Sequence, residues 1–143
     1  MFFRRHVPDP STVSIDPARL ADLAGQLAAI NRSQAVIEFD LDGTILRANP
    51  NFCATLGYEE DEIRGRHHSM FVPEAERDEA YRAFWQKLGR GEYDAGQYRR
   101  LGKGGREVWI QASYNPVLGP DGKPVKVVKL ASEMTAQVKL GEQ

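Results

Sequence analysis

The spacing of apolar and polar residues divides the chain into three regimes. Residues 17–34 repeat at helical spacing: Leu20, Leu23, Leu27 and Ile30 fall three, four and three apart, the a/d seam of a coiled coil. Asp16-Pro17 supplies a cap and a proline preset for the first helical turn, so an amphipathic helix begins there. Two short extended runs follow, Ala35–Phe39 and Thr44–Ala48, on either side of Asp40, Asp42 and Gly43. Extended runs joined by a turn containing Asp-Gly predict a β-hairpin. Asn49-Pro50 then opens a short helix that Gly57 ends.

The middle of the chain is helical and irregular. Glu59 to Glu62 forms a polar bend, and residues 63–71 form a short helical segment that stops at Val72-Pro73. A helix is predicted from about Glu74 to Leu88, with Tyr81, Phe84, Trp85 and Leu88 on one face and Gly89 at its end. The last third changes to a period of two. Tyr93 to Leu101 is extended and turns at residues 102–105. Val108, Ile110, Ala112 and Tyr114 then share one face of a strand that Pro116 is expected to close. Residues 119–122 turn again, and Val125 to Ala131 forms a fifth strand. Residues 1–16 hold three prolines without a periodic pattern and predict a loosely held arm; residues 136–143 begin a C-terminal linker.

Composition then narrows the function. At 143 residues the chain is one domain with an appendage. A net charge of −1 gives no basic field for nucleic acid. A single cysteine, Cys53, excludes a disulfide framework and a cysteine zinc cluster, and fits a reducing cytoplasm. No apolar run approaches the roughly 18 residues that predict a membrane-spanning helix, so no membrane insertion is expected. The Gly-rich residues 102–105 precede a strand and not a helix, so they are no phosphate cradle.

Phe39-Asp40-Leu41-Asp42-Gly43-Thr44 resembles the first motif of haloacid-dehalogenase-like phosphatases, in which the first Asp is a nucleophile and the second a general acid/base beside Mg²⁺. That resemblance implies Asp40 and Asp42 in those roles, on a parallel strand whose helix crosses over to the next strand. Here the motif runs instead into another extended piece, Ile45–Ala48.

The order of elements carries a second resemblance, over residues 35–135. The hairpin is followed by Asn49-Pro50-Asn51-Phe52 and Leu56-Gly57-Tyr58. Gly65-Arg66 precedes the bend, Gly104-Gly105 the aromatic strand, and Asn115-Pro116 ends it. This resembles a PAS domain. It implies an α+β fold, a five-stranded antiparallel sheet with helices covering one face, here with an N-terminal flanking helix. Ser132-Glu133-Met134-Thr135 stands where the family usually has Asp-Ile-Thr, which implies a signal exit at Glu133, Met134 and Thr135. His67-His68-Ser69-Met70-Phe71, Phe84-Trp85 and Trp109–Ala112 most resemble the PAS sensory domains of soluble methyl-accepting chemotaxis receptors.

The expectation is therefore a non-enzymatic sensory module of a cytosolic chemoreceptor-type protein, or alternatively the sensor of a histidine kinase. It would pass a signal to a downstream domain of the same chain. It is expected to form a homodimer through Leu20, Leu23, Leu27 and Ile30, although the same stripe could instead pack back on its own domain. The light-sensing relatives' reactive cysteine has no counterpart, because residues 67–70 occupy its place. Cofactor identity stays open among three states. Haem would be held through His67 or His68, with His68 favoured as the ligand to the iron. FAD would use positions matching Asn49, His68 and Trp85, with Arg100 standing where the flavin binders have an asparagine. The third state holds no tight cofactor.

Overall fold

The computed structural model describes residues 14–141, so the proposed arm is described only from Ser14 onward. Helix α1 spans Pro17–Ser33, and the Asp16 carboxylate accepts from the Arg19 amide at its start. The sheet follows with β1 (Ala35–Phe39) and β2 (Ile45–Ala48). Next come α2 (Pro50–Leu56), α3 (Glu60–Ile63), 3-10 turns at His68–Phe71 and Glu74–Glu76, and α4 (Glu79–Gly89). Strands β3 (Asp94–Leu101), β4 (Glu107–Leu118) and β5 (Pro124–Glu133) complete the sheet, and α5 (Thr135–Gly141) leaves it. The strand order is β2-β1-β5-β4-β3, with every neighbouring pair antiparallel.

The period-two pattern decides which side chains meet the helices. Ile37 and Phe39 of β1, Val108, Ile110 and Tyr114 of β4, and Val127 of β5 are fully buried against Phe52, Leu56, Ile63, Phe71 and Leu88. The alternate positions Val36, Glu38, Lys126 and Val128 lie on the opposite face. There Glu38 pairs with Lys126 at 2.6 Å and with Arg47 at 3.3 Å.

Several boundaries differ from the sequence reading: the polar bend at Glu59 to Glu62 is largely the helix α3, the segment 63–71 is helical only at its two ends, and β5 is longer at both ends. Two further differences have a plain cause. Pro116 does not close β4, which continues to Leu118 with Pro116 opposite Val127. Strand β3 pairs only as far as Tyr114, so at Pro116 β4 has a free edge where a missing N–H costs nothing. The α4 helix begins at Glu79 and not Glu74, because Asp78 is extended and its carboxylate caps the Tyr81 amide.

Asp40 to Gly43 is a tight turn. Gly43 donates to the Asp40 carbonyl at 2.9 Å, and Asp40 donates to the Thr44 carbonyl at 2.8 Å. Gly43 has φ of 93°, and a Cβ there would stand 2.6 Å from His67 Nε2, so only glycine fits. The β1–β2 pairing is antiparallel, which removes the parallel-strand setting the phosphatase resemblance requires. The Asp42 carboxylate is already spent on the Thr44 amide, which lowers its pKa.

Candidate functional site

The two adjacent histidines diverge. His67 is an exposed cap: its Nδ1 accepts from the Ser69 amide at 3.0 Å, and its Nε2–H donates to the Asp42 carbonyl at 2.7 Å. Both nitrogens are used, and the tautomer is set. Its role is to pin the 3-10 turn to the hairpin, with Thr44 bridging to His67 and the His68 amide donating to the Gly43 carbonyl. His68 points the other way and is wholly buried.

Around the His68 ring stand Phe39, Trp85, Tyr114 and Tyr81, with centroids between 5.3 and 5.7 Å away. Its Nδ1 is 2.7 Å from the Tyr81 hydroxyl and its Nε2 is 2.9 Å from that of Tyr114. Arg100 Nη2 donates to the same Tyr114 oxygen at 3.2 Å. If Tyr114 donates to Nε2, its oxygen accepts from Arg100 and His68 Nδ1–H donates to Tyr81. Both ring nitrogens of His68 and the Tyr114 hydroxyl hydrogen are then spent.

The charge balance of this core is unusual. Arg100 and Lys129 are both buried, at 7% and 1% exposure, and neither has a carboxylate within ion-pair distance among the described residues. Lys129 Nζ lies over the rings of Tyr114 and Phe52, 4.8 and 5.8 Å from their centroids. Burial, reinforced by Arg100, holds the Lys129 pKa well below its ordinary value. Burial first, then Lys129 and Arg100, also drives His68 well down, so its imidazole is neutral. Burial raises the Tyr81 hydroxyl to about 12. Trp85 Nε1 is buried near that hydroxyl but makes no hydrogen bond.

Haem at His68 does not fit this packing. An axial ligand needs a free imidazole nitrogen, and both of its nitrogens face tyrosine hydroxyls inside a closed aromatic cage. His67 is equally committed. The residues expected for flavin do not converge either. His68 and Trp85 share the core, whereas Asn49 lines a groove on the opposite sheet face with Leu27, Asn31, Val36 and Lys126.

Asn49 is instead the joint of α1, β1 and α2. Its Oδ1 accepts from Val36 and Phe52, and its Nδ2 donates to the Gln34 carbonyl and to Asn31. Asn49→Ala should therefore lower stability by about 1–2 kcal/mol, in the range of lost helix caps. Urea unfolding measures it, and an unchanged midpoint would rule the joint out.

Where the resemblance implies a signal exit, the Met134 amide donates to the Trp109 carbonyl at 2.8 Å and the Trp109 amide donates to Thr135 Oγ1 at 3.0 Å. Glu133 pairs with Ile110 in the ladder. The three residues of the expected exit are thus fastened to β4 at Trp109 and Ile110.

Sequence reasoning passed over Lys129 and Arg100 as members of the core. The signal was present in phase: Lys129 alternates with the inward Val127 and Ala131, and Arg100 with Tyr98. No group of three or more His, Cys, Asp or Glu side chains suited to a metal ion occurs among the described residues.

Known proteins place this architecture. A family model described as "PAS fold" matches residues 45–131, more than half of the chain. The chain belongs to the PAS family. It is 46% identical over 119 residues to the biofilm dispersion protein BdlA of Pseudomonas aeruginosa, matching 82% of this chain and 28% of that protein. The chain therefore spans well under a third of this curated relative. Among solved structures, the PAS domain of a Colwellia psychrerythraea protein superposes with a TM-score of 0.71 at 20% identity, over 80% of this chain and 98% of that one. An RNA-binding light-oxygen-voltage receptor gives 0.72 at 23% identity, over 90% of this chain and 38% of that one. At these identities the two structures show the shared fold alone. No helix among the described residues is long and apolar enough to cross a membrane.

Proposed function

We propose that this PAS domain is the sensory module of a cytosolic chemoreceptor-type signalling protein. It works as a homodimer joined through α1 and passes its state along β5 into α5 and a downstream domain. The observation that carries the dimer is the face α1 leaves open. Leu20 and Leu27 are 57% and 61% exposed, Ile30 is exposed and Leu23 only half-buried, so the a/d seam does not pack on its own domain. The helix is nevertheless held at its C-terminal end, where Asn49 and Asn51 donate to the Asn31 carbonyl. A fixed helix presenting an uncovered seam suits pairing with a second copy.

The kinship with a biofilm dispersion protein supports a signalling role, and the relative's greater length supports further domains beyond this one. The exit is mechanically suited to relay, because any shift of β4 moves Trp109 and hence both bonds that hold Met134 and Thr135.

Leu23→Glu with Leu27→Glu should convert a dimer to a monomer in sedimentation velocity, since pairing would bury unpaired carboxylates. Both positions lie outside the sheet core, so circular dichroism should remain that of the folded domain. Sedimentation identical to the wild type would overturn the α1 dimer.

A further inference from the structure

Arg100 lines a cleft of about 290 Å³ between α4 and β3, together with Val72, Tyr81, Phe84 and Tyr98. Its guanidinium stacks over Tyr98 at 4.7 Å, donates Nη1 to the Arg99 carbonyl at 3.2 Å and Nη2 to Tyr114, and leaves Nε buried without a partner. A buried cationic donor left unpaired is costly, and the aromatic wall beside it excludes water from one side. The two carboxylates at the cleft rim are engaged elsewhere. Glu76 pairs with Arg99 at 2.9 Å, and Asp78 caps α4. Behind Arg100, the buried Lys129 also has no carboxylate beside it among the described residues.

We infer that this cleft binds a small carboxylate, whose oxygens accept from the Arg100 guanidinium, where the protein leaves N–H groups unspent, and reach the Tyr81 hydroxyl, with Phe84 and Tyr98 flanking its carbon chain. The inference rests on the sensory reading and supplies its ligand class. An apolar residue at position 100 would close the core more cheaply, so a buried arginine with unmet hydrogen-bond capacity on the wall of a cleft fits a site awaiting an anion. A planar carboxylate matches guanidinium geometry, and a small cleft suits a small acid.

Isothermal titration calorimetry of the whole chain with sodium succinate and sodium acetate, at ionic strength matched with sodium chloride, tests it. Binding of either salt is expected, with affinity reduced about 10- to 100-fold in Arg100→Met, the usual range for a lost charged hydrogen bond. If Arg100→Met proves unfolded by circular dichroism, Ala80→Phe decides. Ala80 is an exposed cleft residue, so filling it should block binding and leave the fold intact. No binding of either carboxylate overturns the inference, as does unchanged affinity in the variants. Tighter binding of inorganic phosphate than of both carboxylates overturns the ligand class. Sedimentation of the same samples reads the α1 dimer separately, so a failed ligand and a failed dimer are told apart.

Discussion

Tyr114→Phe, the loss of one oxygen atom, should cost about 3 kcal/mol, because it strands a charged and a neutral buried partner together. Tyr114 is fully buried, and its hydroxyl is shared by His68 Nε2 and Arg100 Nη2. Phenylalanine keeps the ring contacts with Phe84 at 4.7 Å and Tyr98 at 5.5 Å, so no cavity beyond the hydroxyl forms. The cost then comes almost wholly from desolvated groups left unpaired, and not from packing. For a domain of this size the thermal midpoint should fall by about 10 °C. Tyr98→Phe is the internal control. Its hydroxyl bonds to Asp94 on a half-buried face where water can replace it, so the loss should be about 1 kcal/mol or less. Equal midpoints for the two variants would show that the His68–Tyr114–Arg100 network carries no special weight.

Under the proposed sensory role, that network would make the core both rigid and responsive. Aromatic rings from β1, β4, α4 and the 3-10 turn close around one imidazole, so a displacement of α4 reaches β4 through His68 and Tyr114. From β4, Trp109 holds the exit at Met134 and Thr135. The path consists of packed rings and hydrogen bonds, and a ligand would bias it only by its differential affinity for two arrangements. A carboxylate drawing on Arg100 would act at the same tyrosine oxygen.

Much of the architecture was legible because local chemistry and tertiary structure agree. The Asp40–Gly43 turn, the Asn49-Pro50 cap and the left-handed Gly57 are each dictated within a few residues. The alternation of β4 exposes its buried face without any knowledge of its partners. The site was less legible, for a physical reason. An asparagine that caps a helix and one that faces a cofactor have the same side chain, and only the third dimension shows that Asn49 is consumed by α1, β1 and α2. His67 and His68 are adjacent letters, yet one caps a turn at the surface and the other fills the core. Pro116 reads as a strand end until the shorter β3 is seen to leave that edge free. Lys129 and Arg100 stand in phase with apolar neighbours. A charged residue in an inward phase is normally discounted as a register error, and here it is the feature that sets the site apart.

Lys129→Met should raise stability by about 1–3 kcal/mol at neutral pH, the usual cost of burying a polar group without a hydrogen bond. The Lys129 ammonium lies over the rings of Phe52 and Tyr114, and methionine offers an unbranched apolar chain of similar volume for the same site. The pH dependence identifies the cause. Burial lowers the folded pKa of Lys129 from its ordinary 10.5, so below that pH the unfolded chain binds a proton that the folded chain holds less readily. Stability lost through Lys129 is therefore absent above pH 10.5, grows as pH falls towards the folded pKa, and is constant below it. The advantage of Lys129→Met should follow the same course, largest at neutral pH and shrinking as pH approaches 10.5. His68 adds a separate limb: its folded pKa lies well below 6.5, so wild-type stability should fall as pH drops through 6.5, because the unfolded imidazole takes up a proton. Removing the Lys129 charge should ease protonation of His68 and soften that acid limb. Urea unfolding of both proteins between pH 5 and 10 measures all three effects. A Lys129→Met variant less stable than wild type at pH 7 would mean that the ammonium is held by its aromatic neighbours more strongly than burial opposes it.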